Sequence, residues 1–181
     1  MLSPIFPLLN GCIVFGSAIF CILLMQVRMP WIEVFDIGPN WILIWLVTWS
    51  IKRPIFQAAI GGLALGLVLD GMSGAVPTHV YPMIIVGSLT VLLYRVFVKK
   101  IQEDFISVAL IVFGMAILFE TIRALQFSQI GDRNLADLWV YQQQVALSSA
   151  ILSSLWAPVI HFPLHRWWRL IKAPHRLKSK V

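Results

Sequence analysis

"GLALGLVLDGMSGAVPTH", residues 62–79, is an apolar, glycine-rich run that ends on an acid, Asp70-Gly71. Ala58, Gly62, Gly66 and Asp70 recur every fourth residue, so a helix here carries three small side chains and one carboxylate along a single face. Small residues at that spacing let two helix backbones approach closely inside a membrane. An ionised carboxylate facing lipid costs about 2.5 to 3.5 kcal/mol even on a lenient insertion scale, so Asp70 is expected to face protein or the outer interface. Gly71 is expected to end the helix, because glycine accepts a left-handed C-cap cheaply. The opposing reading, in which Asp70 only marks the water boundary of a short helix, stands beside this one. A carboxylate at a helix C-terminus meets an unfavourable macrodipole and needs hydration or a partner, for which Asn40, His79 and Arg123 are candidates.

The wider composition agrees with a bilayer as solvent. The 181 residues are 59% hydrophobic and 12% charged, with a mean hydropathy of +0.85, which is too much apolar surface for one small soluble core. Apolar runs cover Ile5 to Val27, Gly38 to Ile51, Pro54 to Leu69, His79 to Val98, Phe105 to Leu125 and Leu138 to Leu164. The expected fold is therefore an all-α integral membrane protein with six transmembrane helices in one bundle. It occupies residues 1–165, followed by a basic amphipathic cytoplasmic tail, 166–181. Two runs are short: 38–51 and 54–69 reach only about 21 and 24 Å at helical rise, against roughly 30 Å of hydrocarbon. They are expected to thin the bilayer or to lean on their neighbours.

Orientation follows from the cations. With a cytoplasmic N-terminus, eleven Lys and Arg fall inside (Lys52, Arg53, Arg95, Lys99, Lys100, Arg166, Arg169, Lys172, Arg176, Lys178, Lys180) and three outside (Arg28, Arg123, Arg133). Both termini are thus expected in the cytosol. The net charge of +6 does not point to nucleic acid, since these cations sit at the ends of apolar runs. In the tail "HRWWRLIKAPHRLKSKV", residues 165–181, Trp167, Trp168, Leu170 and Ile171 mingle with six basic residues, a mixture suited to anionic lipid headgroups. The first run has no preceding basic residue and no A-x-A site, so it reads as a membrane helix rather than a cleaved signal. Leu9-Asn10-Gly11-Cys12 departs from a lipoprotein box at Asn10, and lipidation is not expected. Cys12 and Cys21 lie about 900° apart around one helix, on opposite faces, which excludes a disulfide between them.

Two enzyme signatures pass nearby and fail. Gly71-Met72-Ser73-Gly74 fits the G-x-S-G of rhomboid proteases, but on this topology His161 and His165 lie a bilayer away from Ser73, and His79 sits across a loop with no orienting third group. Asp70-Gly71 also opens the pattern of CDP-alcohol phosphotransferases, yet the further aspartates that would hold divalent metal are missing. His161 and His165, at i and i+4, have the spacing of a metal pair, but Arg166 and Arg169 beside them disfavour a cation. No metal or cofactor is expected. Glu120 and Arg123, at i and i+3, read as a charge pair at the membrane edge. Trp41, Trp45 and Trp49 make an aromatic stripe at i+4 on the short second run, a surface for a partner helix or for lipid alike. Ala146, Ala150 and Ser154 form a second small-residue ridge.

Three segments in order, 38–54 (GPNWILIWLVTWSIKRP), 62–79 and 101–126 (IQEDFISVALIVFGMAILFETIRALQ), carry a resemblance to the MreD family of rod shape-determining proteins, in its cyanobacterial branch. Asp70-Gly71 after a glycine-rich third helix is the feature most like that family. The resemblance implies a non-enzymatic inner-membrane component of the cell-elongation machinery. It also implies association with MreC, the actin-like MreB, RodA and a penicillin-binding protein, in a role in peptidoglycan synthesis. A fold similar to the substrate-binding components of energy-coupling-factor vitamin transporters is implied as well, which opens the alternative of a small-molecule binding subunit. On these grounds Gly62, Gly66, Asp70, Gly71, Asn40, Trp41, Trp45, Glu120 and Arg123 are the expected packing and interaction residues. The short outer loops depart from what a periplasmic partner would grip.

Overall fold

Each residue from Trp41 to Thr48 is at most 8% exposed, so the second helix is wrapped on all sides by its own chain. A helix that is apolar around its whole circumference is stable only when it is enclosed. In the computed structural model, which describes residues 5–27, 33, 37–74, 76–98, 105–130 and 135–177, the regular elements are helices throughout. They are α1 (Ile5–Gln26), α2 (Trp41–Ser50), α3 (Ile55–Ser73), α4 (Val80–Leu93, continued by a π turn, Tyr94–Val98), α5 (Phe105–Ile130) and α6 (Leu135–Leu177). α2 touches all five others and forms the axis of the bundle. Of the cations used for orientation, Arg28, Lys99, Lys100, Arg133, Lys178 and Lys180 lie outside the described residues, as do the tail's side chains after Trp167.

Four helices are long and apolar enough to cross a membrane, over Leu9–Gln26, Ile55–Ser73, Ile106–Gln129 and Gln142–Trp167. α2, with 10 residues, spans about 15 Å, half of the hydrocarbon thickness. It leans on its neighbours, one of the two remedies expected for its shortness. α3 is longer than its apolar run, 19 residues, because the helix continues past Asp70 to Ser73. This corrects the expected role of Gly71, which sits within the helix in open space. The cap is Gly74, at φ +83°, with its N–H donating to the Asp70 carbonyl. A left-handed residue is required only where the chain turns away, and that happens three residues later than the Asp-Gly pair suggests. α6 runs 43 residues, about 65 Å at helical rise, so residue 165 is not a break in the backbone: the helix continues to Leu177.

Trp41 and Trp45 lie inside the bundle. Trp41 meets Trp156 of α6 edge-on at 5.4 Å between ring centroids. Trp45 stacks on Trp49 at 5.6 Å and donates its indole N–H to Ser17 Oγ of α1 at 2.9 Å. Trp41 and Trp45 therefore face α6 and α1, Trp49 lies against Gly61 of α3, and neither of the first two is a surface for a partner or lipid. A short, wholly apolar helix gains more by burying its largest side chains than by displaying them. At the far end of α2, Arg53 lies over the Trp49 ring at 5.2 Å, and Lys52 Nζ donates to His165 Nδ1 at 2.8 Å. That lysine fixes one nitrogen of the histidine considered above as a metal ligand.

Candidate functional site

Along α3, the small residues bring α4 to backbone contact. A methyl group built on Gly66 would lie 2.5 Å from Val80 Cα, and one on Gly62 would overlap the Met83 carbonyl. Gly87 of α4 returns the contact, since a methyl there would come within 2.7 Å of the Ala58 carbonyl. Val80, Met83 and Gly87 repeat at i, i+3 and i+7, so one face of α4 slots onto the 58/62/66/70 face of α3.

The hairpin is closed by Asp70. Its Oδ2 accepts from Thr78 Oγ1 at 2.5 Å, and its Oδ1 accepts from the His79 backbone N–H at 2.6 Å and lies 2.8 Å from His79 Nδ1. Thr78 also takes the Val80 N–H, one of the donors at the start of α4. The carboxylate thus closes the turn by taking the N–H of the N-cap residue His79, while Thr78, which it holds, takes the first N–H of α4. Asp70 and His79 side chains are each 10% exposed, so the pair is sheltered and not a mark of open water. Of the partners considered in the sequence, His79 is the one found. Asn40 is engaged elsewhere: it caps α2 by accepting from Leu43 N–H at 3.0 Å, and its own N–H donates to Ser153 Oγ at 3.0 Å. It cannot serve Asp70, because Ser153 lies eleven residues down α6 from Gln142, about 16 Å at helical rise.

A second polar group stands beside the first. His79 stacks on Phe119 of α5 at 6.4 Å, and Arg123 lies 5.8 Å over the same Phe119 ring and over Phe127. Arg123 Nη1 reaches Glu120 Oε2 at 3.7 Å, the expected charge pair. Glu120 is 4% exposed and also accepts from Gln142 Nε2 of α6 at 3.2 Å. Arg123 Nε and Gln126 Oε1 are buried without a hydrogen-bond partner among the described residues. A cavity of about 370 Å³ opens between α5 and α6, lined in part by Glu120, Thr121, Gln142 and Gln143. Asp70, His79, Arg123, Glu120 and Gln142 thus form a single polar cluster with Phe119 at its centre, at the end of the bundle where α3 passes to α4.

No family model, no curated protein and no solved structure matches this chain.

Ser73, the serine of the G-x-S-G pattern, donates its hydroxyl to the Leu69 carbonyl of its own helix at 2.7 Å. Thr78 and Gly87 are the members of this region that residue-by-residue reading missed. Gly87 was open to discovery through its i+7 spacing from Val80, whereas Thr78 carries no local signal, since it acts only through a carboxylate brought to it by the fold. Gln142 is visible in the sequence as a polar residue within the sixth apolar run, but its partner Glu120 is not.

Proposed function

We propose that the chain is a non-enzymatic scaffold of a membrane-bound cell-elongation complex, with six spans and both termini in the cytosol. This is the role that the resemblance to the MreD family implies. The observation that supports it best is the α3–α4 hairpin, where a sheltered carboxylate spends its hydrogen bonds on closing a corner rather than on a reacting group. Rigid corners hold partner-facing elements in place, and one exposed apolar face open to a partner is on α1. Phe15, Ile19, Phe20 and Leu23 there are 73%, 56%, 60% and 57% exposed, while α1 packs on the bundle chiefly through α2. This face, rather than the buried tryptophan stripe, is then the candidate surface for a partner helix or for lipid. MreC is the partner that the resemblance supplies, with MreB, RodA and a penicillin-binding protein beyond it.

The test uses a rod-shaped host lacking its own copy. Asp70→Ala and the paired change Phe15→Ala/Phe20→Ala are expected to lose rod shape and co-purification with MreC at normal protein levels. Retention of both by all variants rejects the scaffold assignment for these residues.

The α5–α6 cavity favours a second reading, a small-molecule binding subunit of a transporter. Mass spectrometry of the purified protein separates the two. A stoichiometric water-soluble vitamin-like compound supports the transporter subunit, and an empty preparation that still retains MreC supports the scaffold.

A further inference from the structure

The cavity between α5 and α6 has a buried polar side, and its opening adjoins an apolar stripe of α6. Glu120 lies on the polar side, and both of its contacts, from Gln142 Nε2 and Arg123 Nη1, fall on Oε2. Among the described residues neither uses Oε1, while a carboxylate accepts up to about four hydrogen bonds. Gln143 and Thr121 line the same space, and the Thr121 hydroxyl gives its proton to the Ile117 carbonyl, which leaves its oxygen as an acceptor. The charge of Glu120 is balanced from behind the lining, because Arg123 stands 3.7 Å from it. Arg123 does not line the cavity, but it already offsets the Glu120 charge that a cation would need, and an anion would meet Glu120 itself, so a neutral occupant with an O–H or N–H donor fits best.

The mouth lies at Gln143 and Leu147, both exposed. From Leu147, 53% exposed, an apolar stripe continues at i+4 and i+8 through Ile151 and Leu155, 50% and 69% exposed. A buried polar side joined to an apolar stripe along a membrane-length helix matches a molecule with one polar end and one hydrocarbon chain. The volume falls within the range of small-molecule sites.

We propose that this cavity binds one neutral single-chain amphiphile from the bilayer, an alcohol or primary amide, whose head donates to Glu120 and whose chain lies along Leu147, Ile151 and Leu155. The site is compatible with the scaffold reading and competes with the transporter reading, in which the same cavity would hold a water-soluble compound.

Photolabelling of the full-length protein in lipid vesicles tests it, with an octanol that carries an alkyl diazirine and the matching octane. The alcohol is expected to place its adducts on 117–124 and 142–147 with ~5-fold preference over the octane, the factor that one net hydrogen bond gives. Unlabelled decanol is expected to compete and decane is not. Glu120→Leu should erase the preference, Glu120→Gln should retain it, and Ala146→Leu, which fills the cavity, should lower labelling by both probes. Adducts spread over exposed α6 positions in proportion to their exposure, or equal labelling by alcohol and alkane in the unaltered protein, overturn the proposal.

Discussion

Three donors converge on Asp70: the Thr78 hydroxyl, the His79 backbone N–H and the His79 ring. Asp70→Ala leaves these sheltered donors without an acceptor, and a hydrogen bond to a charged group is worth about 1.5 to 3 kcal/mol. Loss of roughly 2 kcal/mol is therefore expected for Asp70→Ala in urea unfolding from mild detergent. Thr78→Val should cost less and should not add fully to it, since the two share one network. Additive losses would mean that the two side chains act independently. Gly71, next in the chain, gives the opposite expectation. Its surroundings are open and its backbone is helical, so Gly71→Ala is expected to hold or raise stability by about 0.5 to 1 kcal/mol. A Gly71→Ala variant that unfolds more easily would restore Gly71 as a conformational requirement.

At the level of helices, the α3–α4 contact is set by backbone meeting backbone. No side-chain rotation relieves a methyl group at Gly62 or Gly66, because the atoms it meets are Met83 carbonyl and Val80 Cα. Gly66→Ala is expected to part the helices and cost about 1 to 3 kcal/mol, the usual range for overpacking, with the melting midpoint as the measure. A neutral Gly66→Ala would show that the hairpin is looser than its geometry. This face was legible in the sequence, because period-four spacing of small residues has one structural meaning in a membrane helix. The stop three residues beyond Asp70 was not, since either Gly71 or Gly74 suits a left-handed cap and the choice depends on where Thr78 and His79 come to rest. The tryptophan stripe was legible as a face but not as a buried one. Trp156 and Ser17, which cover it, lie on helices far away in the chain.

The whole molecule is organised around α2, and cysteine chemistry reports on that. Cys12 is exposed and Cys21 is 2% exposed, on opposite sides of α1, so in mild detergent a maleimide is expected to modify Cys12 well ahead of Cys21, which should react only after unfolding. Equal rates would detach α1 from the bundle. The number of helices and their order were readable from hydropathy. The enclosure of α2 was not, because an apolar run of that length looks the same whether lipid or protein surrounds it. Enclosure has a consequence for synthesis. A ten-residue helix is too brief to cross a bilayer by itself, and α6, which covers Trp41 and holds Asn40, is translated after α2. On the membrane reading proposed above, the nascent chain must keep α2 waiting until α6 arrives, so chains halted before residue 135 should be recognised and degraded as unfinished.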